Sequence, residues 1–248
     1  MGGELIQKNY YKFKRYFQNT SWIMIEHITS MVITFLATVF VARYLGPEDF
    51  GILAYAISLI GLFTVFGHMG LSGLVVRELV KQPDKHAQVL GTSLDLKYIG
   101  IIIGFLILVV FIFLSEEVFS NTFWIIFIVA LSMLFNPFQV LDFWFSSRVQ
   151  AKYTSIAKIT AIVVASLFKI GLIIIGANVL YFAFANIIQV LLVKSMLIFF
   201  YYRLKNIPLS KWRISSKVAK GLLSKGWMIL LGSLFATLYL KIDQVMLR

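Results

Sequence analysis

The sequence predicts an all-α membrane protein, a polytopic bundle of helices that crosses a lipid bilayer several times. Of its 248 residues, 60% are hydrophobic and only 14% are charged, which is far more apolar than a water-soluble domain. The apolar residues also occur in seven long runs, each near the roughly 20 residues that a helix needs to cross the hydrocarbon core. These runs are approximately 22–42, 50–74, 96–114, 123–141, 155–176, 179–201 and 227–247.

The first run follows a basic, polar segment, residues 1–21. It is longer than the hydrophobic region of a signal peptide, and it continues into Arg43 rather than into a small-residue cleavage site. We therefore predict a retained first span that is preceded by a cytoplasmic tail.

Small residues in the second and third spans predict close helix contacts, because they let two backbones approach. Gly67, Gly70 and Gly73 form a ladder in the second span, and Gly100 and Gly104 form a GxxxG motif in the third.

Two features shape the later spans. Pro137 removes one backbone hydrogen bond from the fourth span and predicts a kink there. Only Ala177 and Asn178 separate the fifth span from the sixth, so these two spans should form a tight hairpin.

The longest connections, residues 75–95 and 202–226, are too short to fold as catalytic domains. Residues 202–226 have seven cations and no acid, which predicts an amphipathic helix on the inner leaflet with its cations toward anionic headgroups. Its lipid-facing residues would be Trp212, Ile214, Val218, Leu222 and Leu223.

Lysine and arginine are concentrated in the tail and in the second, fourth and sixth connections, with Lys97 counted in the second. Cytoplasmic loops retain such residues, so we predict a cytoplasmic amino terminus. The net charge of +12 does not indicate a nucleic-acid partner, because the cations lie between apolar runs rather than on one face of a soluble domain.

The sequence contains no cysteine, and its three histidines have no metal-ligand spacing. It also has no nucleophile triad and no glycine-rich nucleotide motif. We predict no enzyme, no metal and no cofactor.

Four segments, in order along the chain, resemble the polysaccharide biosynthesis, or O-antigen flippase, family of the multidrug/oligosaccharidyl-lipid/polysaccharide exporter superfamily. They are NTSWIMIEHITSMVITFLATVFVARYLGPEDFG at 19–51, GLSGLVVRELVKQPDKHAQVLGT from Gly70, DFWFSSRVQAKYTSIAK from Asp142, and LKIDQVML at 240–247. The family often has an acid where this chain has Ser72.

The resemblance implies two helical lobes around a central cavity, with twelve or more spans. We therefore expect residues 22–201 to form a six-helix amino-terminal lobe, 202–226 a linker, and 227–248 the first helix of a truncated second lobe. The implied setting is the bacterial cytoplasmic membrane. The implied partners are a polyprenyl-diphosphate-linked glycan, membrane lipids, the missing carboxy-terminal lobe and other polysaccharide assembly proteins.

Lys169 and Lys194 are the deepest cations, at about 10 Å and 12 Å from the nearest ends of their predicted spans. Lys158 lies eleven residues before Lys169 and so on nearly the same helix face. Ammonium groups suit a diphosphate, so these lysines are candidate substrate ligands. The alternative is that they extend to the interface and only anchor their helices, which is favoured for Lys158.

Arg43 and Arg77 lie at span ends within the resembling motifs. Arg43 would fix the outer turn by pairing with Glu48 or Asp49, and Arg77 would anchor the inner loop with Glu78. Both are also substrate-binding candidates, although a topological role is favoured.

Two carboxylates are candidates for gating or ion coupling. Glu26, near the start of the first span, would pair with a lysine of another helix, couple to protons, or simply contact interfacial water. Asp243 lies two residues from Lys241 and so on nearly the opposite side of the helix, so it requires another cation or an aqueous cavity.

The predicted function is export of a lipid-linked oligosaccharide by alternating access. The alternatives are a drug or organic-ion antiporter of the same fold, and a membrane scaffold without transport. The deep lysines argue against the antiporter, because a cavity for organic cations would favour carboxylates and aromatic rings.

Overall fold

The computed structural model describes the backbone of residues 2–115, 120–205 and 208–246, and the side chains of residues 13–115, 120–204 and 208–240. In these ranges the secondary structure is helical, without strands. The α-helices are α1 (Gly2–Phe63), α2 (Val65–His68), α3 (Leu71–Lys81), α4 (His86–Ser115), α5 (Asn121–Leu131), α6 (Val140–Ser147), α7 (Ala151–Ile174), α8 (Val179–Lys205) and α9 (Ser216–Met246). Six stretches of the described residues are long and apolar enough to cross a membrane, which confirms the all-α polytopic fold class.

The first of these stretches, Phe13–Lys81, includes most of α1, which is divided by the non-helical backbone of Gly46 (φ 74°, ψ 177°). An unbroken helix of 62 residues would be about 90 Å long, roughly three times the thickness of the hydrocarbon core. Ala37 before the break and Ala54 after it line one cavity, so the chain turns back on itself. The two arms, residues 2–45 and 47–63, therefore contain the first predicted span and the start of the second.

The second predicted span, residues 50–74, is not one helix, so that prediction is wrong. Its first part ends at Phe63, and the single turn of α2 is followed by α3. Between α2 and α3, Met69 (φ 45°) and Gly70 (φ 62°) have left-handed backbones, which cannot continue a right-handed helix. A Cβ on Gly70 would collide with the carbonyl oxygen of Gly226, so α9 packs directly against this break.

The other two glycines of the second span differ in their surroundings. A Cβ on Gly67 would collide with the side chain of Ile101 in α4, whereas a Cβ on Gly73 would have no heavy atom within 4 Å. The predicted seam therefore includes Gly67 and Gly70 but not Gly73.

The connection before α4 is much shorter than predicted. A loop was expected over residues 75–95, but α3 continues to Lys81 and α4 begins at His86. Lys97, which was counted with the cations of that connection, lies eleven residues inside α4 and is only 1% exposed. The prediction was wrong because the first turns of α4 contain polar residues, as a cytoplasmic loop would.

The GxxxG motif of α4 is a helix contact, as predicted. A Cβ on Gly100 would collide with the carbonyl oxygen of Phe66, and one on Gly104 would lie 2.7 Å from the carbonyl oxygen of Phe63. Two backbones can approach this closely only where a side chain is absent.

We expect Gly100→Ala to destabilise the protein by about 1–3 kcal/mol, because the atoms that its Cβ meets belong to a backbone and cannot rotate away. Gly171→Ala in α7 is the matched control, since no heavy atom lies within 4 Å of its Cβ position. Thermal unfolding in detergent checks both variants. Equal midpoints for Gly100→Ala and Gly171→Ala would show that the α2–α4 contact is not this close.

Pro137 interrupts the fourth span, as predicted. It lies in a 3₁₀ segment, Ser132–Gln139, that separates α5 from α6. A 3₁₀ segment has a different pitch from an α-helix, so α6 is oriented independently of α5. The 3₁₀ segment therefore affects the position of Asp142, which lies in α6.

The fifth and sixth spans, α7 and α8, form the predicted tight hairpin. Gly176 in the turn has a φ of 71°, a conformation that favours glycine. The hydroxyl of Tyr44 donates a hydrogen bond of 3.0 Å to the carbonyl oxygen of Ala177. This bond joins the hairpin to the first arm of α1.

Residues of the predicted tail continue the first helix and contact the start of α7. The side chain of Arg15 donates a hydrogen bond to the carbonyl oxygen of Arg148. The Asn19 side-chain oxygen accepts one of 2.7 Å from the backbone N–H of Ala151. Asn19 thereby satisfies one of the free N–H groups at the amino terminus of α7.

The last described helix, α9, is unbroken from Ser216, so residues 216–226 are the first turns of the seventh predicted span rather than a separate surface helix. Leu222 is 3% exposed and packs in a cluster with Leu71 and Val75, so its predicted contact with lipid is wrong. Ile214, in contrast, is 66% exposed.

Two hydrophobic clusters form the core. The first joins the two turns at Gly46 and Gly176 to α5. The second lies at the opposite end, which we call the basic end, where α8 ends and α9 begins. In the second cluster, the Trp144 and Tyr201 rings pack edge to face, and the indole N–H of Trp212 donates a hydrogen bond to the Tyr201 hydroxyl.

Candidate functional site

The half of the bundle nearer the basic end contains a group of polar side chains that we call the charged layer. Its members are Glu26, His68, Lys97, Gln139, Asp142, Lys158 and Lys194. They come from α1, α2, α4, the 3₁₀ segment, α6, α7 and α8, so the fold brings seven elements to one site.

An ion pair between α6 and α8 lies at the centre of the charged layer. Lys194 Nζ is 3.7 Å from Asp142 Oδ2, and the two side chains are only 13% and 18% exposed. Lys194 lies eleven residues, about 17 Å, from the end of α8. Asp142 Oδ1 is buried without a hydrogen-bond partner, so this carboxylate can accept a further donor.

Lys97 is the most deeply buried cation of the charged layer. Its Nζ donates a hydrogen bond of 3.1 Å to Gln139 Oε1 and lies 5.5 Å from the centre of the Phe143 ring. Among the described residues it has no carboxylate within 4.0 Å, yet Lys194 is near enough to repel it and Asp142 near enough to attract it. The Asp142 carboxylate therefore attracts both Lys97 and Lys194.

His68 connects the charged layer to the surface. It is the last residue of α2, is exposed, and interacts electrostatically with both Lys97 and Lys194. The broken second span thus places an exposed histidine beside the buried lysines, and we call its side the open side of the charged layer.

The second ion pair of the charged layer joins α1 to α7. Glu26 is 7% exposed, and its Oε2 lies 3.7 Å from Lys158 Nζ. Ser30 donates a hydrogen bond of 3.5 Å to the same carboxylate. Lys158 therefore has a partner within the protein. For Glu26, a lysine of another helix was one of the predicted partners, and Lys158 is that lysine.

Lys169 lies apart from the charged layer. It lines a cavity of about 220 Å³ with Thr38, Ala54 and Asn186. Because Asn186 is eight residues from Lys194, the two predicted lysines are about 12 Å apart along α8. Lys158 and Lys169 both face α1, in agreement with their predicted common helix face.

The remaining predicted residues lie outside the charged layer. Arg43 is exposed and, among the described residues, has no carboxylate within 4.0 Å, so the predicted pairing with Glu48 or Asp49 is not formed. Arg77 lines a different cavity at the basic end. The side chain of Asp243 lies outside the described residues.

Sequence reasoning missed four members of the charged layer, His68, Lys97, Gln139 and Asp142. The only indication in the sequence was that Asp142 and Lys97 are charged residues beside apolar ones. An ionisable side chain inside an apolar run deserves a functional hypothesis even when it lies near a predicted boundary.

The chemistry of the charged layer favours an anion. It has three lysines against two carboxylates, together with a histidine and an amide. Lysine and histidine nitrogens donate hydrogen bonds to phosphate oxygens, and burial strengthens such bonds. Within the described residues, no group of three or more His, Asp or Glu side chains is placed to hold a metal ion.

Comparison with known proteins identifies the family of the chain. The profile of a family described as "Polysaccharide biosynthesis protein" matches residues 16–248. The chain belongs to the polysaccharide biosynthesis protein family. The match confirms the family that the four sequence segments resemble, and it covers every residue of the charged layer.

Part of this polysaccharide biosynthesis protein is also similar to a curated protein of Shigella flexneri. The name of that relative proposes that it is an O-antigen transporter. It is 31% identical over 97 residues, which is 38% of this chain and 23% of that relative. The match therefore spans less than a quarter of the relative's length. No solved structure matches this chain.

Proposed function

We propose that this chain is part of a flippase that moves a polyprenyl-diphosphate-linked oligosaccharide across the bacterial cytoplasmic membrane. The observation that carries the proposal is the excess of cations in the charged layer, within helices that are otherwise apolar. The family and the name of the Shigella relative support a role in polysaccharide export. In this arrangement the amino terminus is cytoplasmic, no covalent chemistry takes place, and the diphosphate enters from the basic end.

The broken second span supports a transport role. In secondary transporters, discontinuous helices provide substrate contacts where they unwind, because backbone groups become free to bind ligands. Here the break at Met69 and Gly70 follows His68 directly and contacts α9. Movement of α9 would therefore change the open side of the charged layer.

Alternating access requires a group that changes partner between two states. Asp142 has this property, because it holds Lys194 with one oxygen while its other oxygen is free. A bound diphosphate would compete with Asp142 for Lys194 and leave the carboxylate available to Lys97. The organic-cation antiporter is less well supported, since both carboxylates of the charged layer already have lysine partners.

The double variant Asp142→Asn/Lys194→Met tests the proposal without leaving Lys194 buried and without its partner. We expect export of the lipid-linked oligosaccharide to fall about tenfold or more, because a hydrogen bond to a charged group contributes about 1.5–3 kcal/mol. The measurement is delivery of glycan to the outer face of cells that lack their own flippase and express the complete protein.

Lys169→Met is the matched control, since it removes a lysine from a separate cavity. We expect it to reduce export less than about threefold, which is a smaller loss than the tenfold expected for the double variant. Wild-type export by the double variant, at equal abundance in the membrane, would remove the charged layer from the mechanism.

A further inference from the structure

A second basic site lies at the membrane surface, away from the charged layer. A cavity of about 290 Å³ opens between α3, the start of α4 and the first turns of α9. Four cations line it, Arg77, Lys85, Lys217 and Lys225, against one acid, Glu78. Gln88 on its α4 wall is nine residues, about 14 Å, from Lys97, so this is a different site.

The cations of this basic cavity are not neutralised by the protein. None of the four has a carboxylate within 4.0 Å among the described residues. Glu78 instead accepts a hydrogen bond of 3.4 Å from the side-chain amide of Gln82. Four like charges around one cavity repel each other, so an anion that binds there would be stabilised by all of them.

The shape of the basic cavity suits a phosphate attached to a lipid. Its apolar lining residues Leu74, Val89 and Leu222 are buried or half-buried, while its four cations are exposed and so lie at the rim. Along α9, the helix face that lines the cavity continues toward the membrane with Met228 and Ile229, which are 66% and 47% exposed. A phosphate at the rim would thus have apolar surface beside it for acyl chains.

We propose that the basic cavity is a phosphate-binding site at the inner membrane surface, occupied by the headgroup of an anionic phospholipid or by free phosphate. Because α3 and α9 both line it, an occupant joins the segment after the broken second span to the last described helix. This site is independent of the proposed transport function, since none of its residues belongs to the charged layer.

The test measures thermal stabilisation of the chain in a neutral detergent, where no charged membrane surface is present. Short-chain phosphatidylglycerol is titrated in one arm, inorganic phosphate in a second and short-chain phosphatidylcholine in a third. We expect saturable stabilisation by phosphatidylglycerol and none by phosphatidylcholine. Stabilisation by inorganic phosphate at similar concentrations would identify free phosphate as the ligand. No stabilisation in either anionic arm would overturn the proposal.

Two double variants with equal loss of charge distinguish the cavity from general attraction to cations. Lys217→Gln/Lys225→Gln removes two cations that line the cavity, whereas Lys211→Gln/Lys220→Gln removes two exposed cations of the same segment that do not. We expect the first to raise the midpoint concentration about tenfold or more, since each basic group near a phosphate contributes roughly fivefold. The second should change it less than about twofold. Equal changes in both would show that no specific site exists.

Discussion

Asp142→Ala is expected to remove most of the folded protein from the membrane. The substitution leaves Lys194 buried without its carboxylate, 3.7 Å away in the wild type, and also removes the nearest negative charge from Lys97. Breaking a buried ion pair by removing one partner costs about 3–5 kcal/mol, comparable with the whole stability of many domains. The measurement is the monodisperse fraction after detergent extraction, together with the thermal midpoint.

Asp142→Ala/Lys194→Met is the control for that result. Replacing both members of a buried pair with uncharged residues is often neutral for stability. We therefore expect the double variant to recover most of the folded yield that Asp142→Ala loses. If Asp142→Ala alone folds as well as the wild type, the ion pair does not hold α6 to α8 as described.

Lys97→Met, unlike Asp142→Ala, is expected to have normal or higher stability. It is nevertheless expected to lose at least about tenfold in export. Lys97 is 1% exposed and has only an amide oxygen and a ring face as partners, so its charge is costly to bury. Methionine fills a similar volume without that cost. A charged group retained at such a cost is explained by its use as a ligand for the diphosphate.

Lys97→Arg distinguishes loss of charge from loss of fit. It preserves the positive charge, so we expect it to retain more export than Lys97→Met. Thermal unfolding and glycan delivery should be measured on the same membranes. Export by Lys97→Met at the wild-type level would contradict a role for this lysine in substrate binding.

Features that depend on local chemistry could be predicted from the sequence. The tight turn at Ala177, the interruption at Pro137 and the GxxxG contact of α4 each follow from a few neighbouring residues. The hydrophobic runs likewise predicted the order of the long apolar segments, although the second run does not form one helix. The boundary of α4 was wrong because polar residues in its first turns are compatible with either a loop or a helix outside the hydrocarbon.

Features that depend on packing between helices could not be predicted. Asp142 and Lys194 are 52 residues apart and on different helices, and no pattern in one sequence determines such a distance. The break at Met69 was also missed, because the glycines around it were interpreted as a helix contact rather than as a turn. The sequence also could not show that Lys169 and Lys194 lie in different regions.

The proposed function requires that the charged layer opens to water and receives a diphosphate. Because the sequence contains no cysteine, single cysteines can be labelled without first removing native ones. His68→Cys reports on the open side of the charged layer, and Leu167→Cys, on an apolar side chain of α7 that is 63% exposed, reports on a lipid-facing position.

The deciding measurement is the rate at which a charged, membrane-impermeant thiol reagent modifies these two cysteines in membranes, with and without polyprenyl diphosphate. We expect His68→Cys to react at least about tenfold faster than Leu167→Cys, because thiolates form in water and not in hydrocarbon. We also expect polyprenyl diphosphate to slow only His68→Cys. Equally slow reaction at both positions in folded protein would contradict an aqueous, phosphate-binding charged layer.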